Sequence, residues 1–339
     1  MKLVRRVLPL TVTAIALIAG AAVVHAGGWS NFKLRYAYLT QVFHNQDQEL
    51  NDLRKQDGQI EANSRISLDE LLNGGPPKDG IPSIDQPEFD TAETTPFADS
   101  DTVIGVVING EAKAYPFNVL NWHEIVNDTV GGVNITVTYC PLCDTIVAFE
   151  RGNTTFGVSG KLYQSCLVMY DRADDSLFVQ PWATGVLGPQ VNKTLDRIPA
   201  VKTTLDNWLA EHPDSAILST RTGHDRNYSG YPYGTYYTDE QIIFPARNQA
   251  QRELHPKAIV SYVWQADEQT PFNQFSGDSV QLSHDQLRQV GRQEIALGDR
   301  PLVARWDTAL ETVIVETPDG TVVPSSTAFA FVYPAFYGE

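Results

Sequence analysis

From Thr102 onward, short runs of alternating apolar and polar residues are separated by turn dipeptides, a pattern typical of antiparallel sheet. Asn109-Gly110 and Asp319-Gly320 each join two such runs, and both dipeptides suit a type I′ turn. Each dipeptide therefore predicts a β-hairpin. The predicted hairpin strands are residues 102–108 with 111–115 and residues 310–317 with 321–323.

Helical spacing of apolar residues returns only over short stretches, at 117–124, 203–211 and 283–290, with a further helical turn at 66–72. Strands and helices do not alternate regularly, which argues against a doubly wound sheet or an α/β barrel. The pattern predicts an α+β fold that is β-rich, with mostly antiparallel sheets and a few short helices. We assign this domain to residues 66–339, with the option of a semi-separate lobe after about residue 256.

The first residues have the pattern of an export signal. Three basic residues precede an apolar run over residues 7–24, and Val24-His25-Ala26 places small residues where a signal peptidase cleaves. We expect a signal peptide over 1–26 and an exported protein that is periplasmic or extracellular. The alternative is an uncleaved anchor, in which residues 7–24 tether the protein to the outer face of a membrane.

Residues 27–65 are expected to form a helical stalk or linker between this signal and the domain. The region is polar, and its apolar residues recur at a spacing close to the helical repeat. These residues are Leu39, Val42, Phe43, Leu50 and Leu53.

Composition limits the class of partner. The chain has 339 residues, of which 42% are hydrophobic, so most of it can bury a core. Its formal net charge is −16, the opposite of the basic surface that nucleic acid requires. We therefore expect no nucleic-acid partner. The 3 cysteines are too few for a disulfide scaffold.

Two of the cysteines form the motif Cys140-Pro-Leu-Cys143 at the end of a predicted strand. Residues alternate between the two faces of a strand, so Cys140 lies on the same face as Thr136 and Thr138. We expect this polar face to present Cys140 at the strand end. Pro141 interrupts strand pairing and turns the chain, which brings the Cys143 sulfur back towards Cys140.

A Cys-X-X-Cys motif supports two chemistries, and the sequence does not separate them. Two close thiols can alternate with a disulfide, for which a small molecule or a protein would be the redox partner. Two thiolates can instead bind a soft metal, here copper or zinc. The metal set would be Cys140, Cys143 and His123, because imidazole must complete it and His123 is the nearest histidine in the sequence.

Two further alternatives remain open, and the sequence does not decide whether the chain is an enzyme. In a cysteine-nucleophile enzyme, His123 would activate Cys140, with Lys161 as a further catalytic candidate. In a non-catalytic binding module, Cys140 and Cys143 would form a structural disulfide.

Other residues could support such a site. Lys161 and Arg172 are cations in an acidic protein and could hold an anion, and Glu124 could act beside them in a supporting role. Alternatively, the two cations form structural salt bridges, for example with Asp171. The loop 228–237, which we call the tyrosine loop, contains five tyrosines. We expect it to pack over the core rather than to line a groove.

Four segments of the chain, taken in this order, closely resemble a prokaryotic family catalogued as domain of unknown function 3179. We call them the four family segments. They are residues 74–82 (GGPPKDGIP), 121–128 (NWHEIVND), 138–143 (TYCPLC) and 156–161 (FGVSGK).

The resemblance implies an exported or envelope protein and supplies no activity. Cys166 stands where the family's pattern more often has a residue without a thiol. We therefore expect a site built on Cys140, Cys143 and His123 that does not use Cys166.

Overall fold

A computed structural model describes residues 64–251, 254–266 and 277–338. The predicted signal peptide or anchor, and residues 27–63 of the predicted stalk, lie outside the described residues. The strands are β1 Leu71–Asn73, β2 Phe89–Asp90, β3 Thr102–Ile108, β4 Glu111–Pro116, β5 Ile125–Val130, β6 Val133–Cys140, β7 Thr145–Glu150, β8 Phe156–Tyr163, β9 Cys166–Asp171, β10 Leu177–Val179, β11 Thr184–Leu187, β12 Arg197–Ile198, β13 Val201–Thr204, β14 Ala216–Leu218, β15 Ile259–Ala266, β16 Gly277–Ser283, β17 Arg292–Leu297, β18 Arg300–Asp307, β19 Thr312–Glu316 and β20 Ser326–Phe329. The α-helices are α1 Phe117–His123, α2 Leu205–Glu211, α3 His284–Val290 and α4 Val332–Tyr337.

The strands form five sheets with the orders β1-β8-β9-β10-β11, β12-β7-β6-β5, β13-β3-β4-β14-β2, β16-β15-β20 and β17-β18-β19. Pairing is antiparallel throughout these sheets except between β4 and β14. The fold is therefore α+β and β-rich, with mostly antiparallel sheets and short helices, and this prediction is confirmed for the described residues.

The first predicted hairpin forms as expected, since β3 and β4 pair across Asn109-Gly110, whose φ angles are both positive. The second is shorter than predicted: β19 begins at Thr312, and only an isolated bridge joins Glu316 to Val322. The predicted helical turn at 66–72 is reduced to a 3₁₀ turn over Leu68–Glu70. The next residues leave the helix because β1 pairs with the end of β8.

The sheet containing β6 lies between two apolar cores. On one side, Ile135, Val137 and Tyr139 pack with residues of α1 and of the β3–β4 sheet. On the other side, Cys140 packs with residues of the β8–β9 sheet, the tyrosine loop and α4. Both faces of β6 are consequently buried, and Cys140 and Cys143 lie within the second core.

Residues 277–323, which we call the lobe, contribute β16–β19 and α3 to a smaller apolar core that also includes Val263 of β15. The chain then returns through β20 and α4 to the core that contains Cys140. No helix within the described ranges is long and apolar enough to cross a membrane.

Candidate functional site: three thiols beside a buried cavity

The face of β6 that carries Cys140 is covered. Thr136 and Thr138 are fully buried, because the β8–β9 sheet packs over them. Their hydroxyls donate hydrogen bonds to the Asn127 side chain and to the Val147 carbonyl, so neither needs water. The expected polar face is thus an interior face, and it presents Cys140 to the core rather than to solvent.

A tight turn follows Cys140 and brings Cys143 back to it. The Cys143 amide donates a hydrogen bond to the Cys140 carbonyl at 3.2 Å, which is the bond of a β-turn. Asp144 has a φ of 53° and lets the chain re-enter the sheet as β7. After burial, the neighbouring Cys143 is the next cause of the raised pKa of the Cys140 thiol, and the return of the chain agrees with the turn predicted at Pro141.

Cys166 lies in the same apolar core as these two cysteines. After burial, the Cys143 thiol is the next group that affects the pKa of Cys166. We call Cys140, Cys143 and Cys166 the thiol cluster. All three are free thiols and buried. Burial raises the pKa of each thiol, that of Cys166 to about 11.

Glu124 is a buried acid near the Cys140–Cys143 turn, since it lines the same cavity as Leu142. Its side chain is 6% exposed, and burial raises its pKa from 4.5 to about 7, with Tyr233 opposing the change by donating a 3.0 Å hydrogen bond. The backbone at Glu124 ends α1 with a φ of 58°, a conformation that a residue other than glycine rarely adopts. Its charge raises the pKa of the Cys140 thiol.

A cavity of about 60 Å³ adjoins Glu124 and the Cys140–Cys143 turn. It has room for a few water molecules. All four family segments contribute to its wall, together with Leu162, Leu167 and Tyr233. The contributing residues are Gly74, Pro76 and Ile81 from the first segment, Glu124 from the second, Leu142 from the third, and Val158, Gly160 and Lys161 from the fourth.

Backbone hydrogen bonds hold these segments together. The amides of Gly74 and Asp79 donate to the carbonyls of Gly160 and Val158 at 2.7 and 2.9 Å. At Gly160, φ is 73°, and a Cβ atom would lie 2.2 Å from the Pro76 carbonyl oxygen. Segments that are up to 87 residues apart in the chain (from 74 to 161) therefore form one wall, which explains why they stand out together in the sequence.

The tyrosine loop packs over the same site, as expected, and contributes two residues that the sequence analysis did not single out. The Tyr236 hydroxyl donates a 2.7 Å hydrogen bond to the Leu142 carbonyl in the middle of the turn. The Tyr233 hydroxyl bonds Glu124. The run of tyrosines is visible in the sequence, but no local pattern indicates which residues the loop covers.

His123 is not placed as a partner of the thiols. Its Nδ1 lies 2.7 Å from the Pro82 carbonyl and must donate, because a carbonyl only accepts. Its Nε2 then accepts from the Tyr228 hydroxyl at 2.7 Å. Burial lowers the pKa of His123 to about 4, so the ring is neutral. Both ring nitrogens are thus hydrogen-bonded to loop residues, Pro82 and Tyr228, and neither is bonded to Cys140.

The two candidate cations have different positions. Lys161 is 3% exposed and lines the cavity. Arg172 instead forms a bidentate ion pair with Asp85, at 2.7 and 2.8 Å, and donates to Ser83 at 2.6 Å. Its salt bridges are with Asp85 and Asp79, which corrects the suggested pairing with Asp171. Arg172 thus fastens the loop after the first family segment.

The metal set proposed from the sequence is not supported by this geometry. Within residues 64–251, 254–266 and 277–338, no group of three or more His, Cys, Asp or Glu side chains is arranged to hold a metal ion. His123 would have to leave both of its hydrogen-bond partners to join the thiols.

Fold and site together define a β-rich protein with a buried thiol cluster beside a cavity. The sequence profile described as "Protein of unknown function (DUF3179)" matches residues 78–321, and the chain belongs to this family. No curated protein and no solved structure matches the chain.

Proposed function

We propose that this chain is an exported thiol–disulfide redox protein in which Cys140 and Cys143 alternate between dithiol and disulfide. The observation that carries the proposal is the β-turn that joins them. In such a turn the first and fourth Cα atoms lie within about 7 Å, which is the range that a disulfide spans. Because the turn already holds the two cysteines within this range, their oxidation requires little backbone movement.

Glu124 gives this pair a proton acceptor. A thiol reacts with a disulfide as the thiolate, and burial disfavours the thiolate at Cys140. A neighbouring carboxyl with a pKa of about 7 can accept the thiol proton near neutral pH. The cavity beside Glu124 can hold water that carries this proton onward.

The reaction then follows ordinary thiol–disulfide exchange. The Cys140 thiolate attacks one sulfur of a partner's disulfide, and the partner's other sulfur leaves as a thiolate. Cys143 next attacks Cys140 in this mixed disulfide and releases the second partner thiolate. The partner gains two electrons and takes up two protons, and the protein keeps the Cys140–Cys143 disulfide.

Access to the thiols involves the tyrosine loop. Cys140 is 2% exposed, and the cavity is too small for a disulfide-bearing peptide. A partner therefore reaches the turn when the loop lifts and Tyr236 releases the Leu142 carbonyl. A protein or peptide disulfide that displaces this loop fits the site better than a free small molecule.

Disulfide mapping tests the proposal. Trypsin cleavage after Lys113 and Arg151 leaves Cys140 and Cys143 in one peptide. We expect oxidised and reduced glutathione mixtures to oxidise that peptide by loss of two hydrogens, reversibly. Cys140→Ser and Cys143→Ser should abolish the change. A pair that stays reduced throughout the glutathione series, in folded protein, would exclude the redox function.

Metal analysis of protein purified without chelator belongs in the same experiment. The redox proposal expects no bound copper or zinc in stoichiometric amount. About one equivalent of metal that is lost in Cys140→Ser would establish the metal alternative instead.

The proposed compartment rests on residues 1–26. We expect the mature protein to begin at Gly27 and to appear in the envelope or extracellular fraction, where disulfides persist. Intact mass checks the cleavage. Retention of residues 1–26 in a membrane fraction would support the tether through residues 7–24.

A further inference from the structure

A second cavity, of about 470 Å³, lies between the lobe and the tyrosine loop, and we call it the lobe cavity. Its volume is in the range of pockets that bind small molecules. Asp285, Arg288 and Glu311 line it from the lobe, and Lys202 of β13 and Tyr237 line it from the rest of the chain. Residues that are distant in the sequence therefore border a space large enough for a ligand.

The wall of the lobe cavity is in contact with the turn that holds the redox thiols. The Lys202 side chain is 12% exposed and forms an ion pair with the fully buried Asp144, the residue that follows Cys143. Lys202 also donates a 3.0 Å hydrogen bond to the Tyr237 hydroxyl. The neighbour of Tyr237 in the chain is Tyr236, whose hydroxyl holds the middle of the turn. The lobe cavity is thus adjacent to both the turn and the loop that covers it.

Two buried lysines of the lobe cavity are already paired. Lys202 pairs with Asp144, and Lys257, whose side chain is 3% exposed, pairs with Asp239 at 2.9 Å. Neither lysine therefore gives the cavity a net positive charge. An ammonium group has three N–H donors, and the described residues offer Lys202 two acceptors, Asp144 and Tyr237. One N–H donor of Lys202 is left for a ligand.

Three exposed side chains of the lobe cavity have no ionic partner among the described residues, namely Asp285, Arg288 and Glu311. The Arg288 guanidinium lies over the Trp306 ring, 4.6 Å from the ring centroid. This contact uses the face of the guanidinium, so the N–H donors in its plane are left for an acceptor. The lobe cavity therefore offers a ligand one uncompensated cation and two uncompensated anions.

Charges of both signs determine the class of ligand. Asp285 and Glu311 disfavour a simple anion, and Arg288 disfavours a simple cation. A short peptide with free ends carries both an ammonium group and a carboxylate, and its carbonyl groups can accept the N–H donor of Lys202. A small peptide therefore complements the wall better than an ion of one sign.

We propose that the lobe cavity binds a short zwitterionic peptide, and that this peptide carries the disulfide that oxidises Cys140 and Cys143. The inference rests on the proposed function, for which it names the substrate class. Arg288 binds a carboxylate of the peptide, and Asp285 and Glu311 bind its ammonium group. The exchange is the one described above, with the peptide disulfide as the oxidant and two peptide thiols as the product.

Calorimetry with S-methylglutathione tests binding without redox chemistry. This tripeptide has an ammonium group, two carboxylates and a thioether that cannot exchange with a thiol. We expect saturable binding to the reduced wild type. Arg288→Gln should weaken binding about tenfold, because it removes a hydrogen bond between charged groups. Arg292→Gln is the matched control, since Arg292 is an exposed lobe arginine outside the cavity, and it should bind as wild type does.

N-acetyl-S-methylglutathione, which lacks the ammonium group, tests the acidic side of the cavity. The wild type should bind it about fivefold more weakly than S-methylglutathione. The double variant Asp285→Asn, Glu311→Gln should lose this preference, because the ammonium group then has no carboxylate to bind. Glu294→Gln, at an exposed lobe position outside the cavity, should keep it. Thermal melting shows that each variant is folded.

Competition connects the lobe cavity to the redox reaction. Glutathione disulfide oxidises the wild type, and the disulfide within peptide 114–151 measures the rate. S-methylglutathione should raise the concentration of glutathione disulfide that gives half of the maximal rate. The rate at saturating glutathione disulfide should not change, because the two peptides occupy the same site.

Three results would overturn the proposal without affecting the redox function. They are no binding of S-methylglutathione to folded, reduced wild type, equal binding by wild type and Arg288→Gln, and binding that does not slow oxidation by glutathione disulfide. Failure of the redox function itself looks different, because Cys140 and Cys143 then stay reduced in glutathione disulfide whether or not S-methylglutathione binds.

Discussion

The wall of the cavity and the lobe are both built from short antiparallel strands, yet they differ in what they bury. The lobe core consists of aliphatic side chains from alternating strand positions, such as Leu302 and Val315, and His284 is the one titratable side chain buried in the lobe. Around the cavity, Glu124 and Lys161 are buried within the protein. Burying such groups costs free energy that apolar packing must offset.

Backbone conformation differs in the same way. In the lobe, Glu311 is the one described non-glycine residue with a positive φ. Near the cavity and the thiols, Glu124, Asp144, Gln164 and Ser165 all have one. Unfavourable conformations are therefore concentrated where chemically reactive groups meet, which is the arrangement expected of a functional site. Four substitution pairs, one member near the cavity and one in or against the lobe, test this difference.

The largest effect is expected at Gly160. Gly160→Ala would place a methyl group 2.2 Å from the Pro76 carbonyl oxygen, so the first and fourth family segments would have to separate. We expect a loss of at least about 3 kcal/mol of unfolding free energy, measured in urea. Gly320→Ala is the control, with a φ of 89° and no atom within 4 Å. It should cost about 1 kcal/mol, and equal losses would contradict the close packing of the segments.

The next effect depends on pH and concerns Glu124. Its pKa is 4.5 when unfolded and about 7 when folded. Between pH 4.5 and pH 7, the Glu124 carboxyl is therefore protonated in the folded protein and ionised in the unfolded protein. Wild-type stability therefore falls as pH rises from about 4.5 through about 7. Glu124→Gln lacks this loss and should be more stable than wild type by up to about 3 kcal/mol at pH 8.

Urea unfolding at pH 4 and pH 8 measures this difference. At pH 4 the Glu124→Gln variant and wild type should have similar stability, since both are neutral there. The exposed lobe residue Glu294 provides the control: Glu294→Gln should change stability little at either pH. A Glu124→Gln variant whose stability relative to wild type does not change with pH would show that Glu124 is ionised without penalty.

A smaller effect is expected from Tyr236→Phe. The change leaves the Leu142 carbonyl without the hydroxyl that donates to it, at a cost of about 1–3 kcal/mol. Because the loop is then less firmly held, native thiols should react faster with iodoacetamide. In Tyr333→Phe, which removes a hydroxyl that donates to the Ser279 carbonyl of β16, stability should fall with thiol reactivity unchanged. Equal thiol rates in both variants would argue that the tyrosine loop does not control access.

The smallest effect is expected from Ser165→Gly. Glycine removes the strain of a φ of 65° and also the unpartnered buried hydroxyl. Its greater flexibility in the unfolded state offsets part of this gain, so we expect a stabilisation of up to about 1 kcal/mol by thermal melting. Glu311→Gly, at a φ of 49° in the lobe, should give a similar gain. Destabilisation by Ser165→Gly alone would show that the serine hydroxyl is needed.

Much of the β-sheet architecture can be predicted from local sequence. Asn109-Gly110 specifies its hairpin because both residues tolerate a positive φ. The alternation along β6 correctly separates Tyr139 from Cys140, and Pro141 correctly predicts the turn to Cys143. These features depend on residues a few positions apart, so the physical rules that govern them act within the segment itself.

The composition of the candidate site depends instead on distant contacts. His123 and Glu124 are neighbours in the sequence, but the end of α1, with its φ of 58° at Glu124, directs the first to Pro82 and the second towards Cys140. Cys166 and Tyr236 reach the thiols from other parts of the chain. No local pattern specifies which side chain faces a shared cavity, because packing of separate sheets decides which neighbours meet and which polar face is covered.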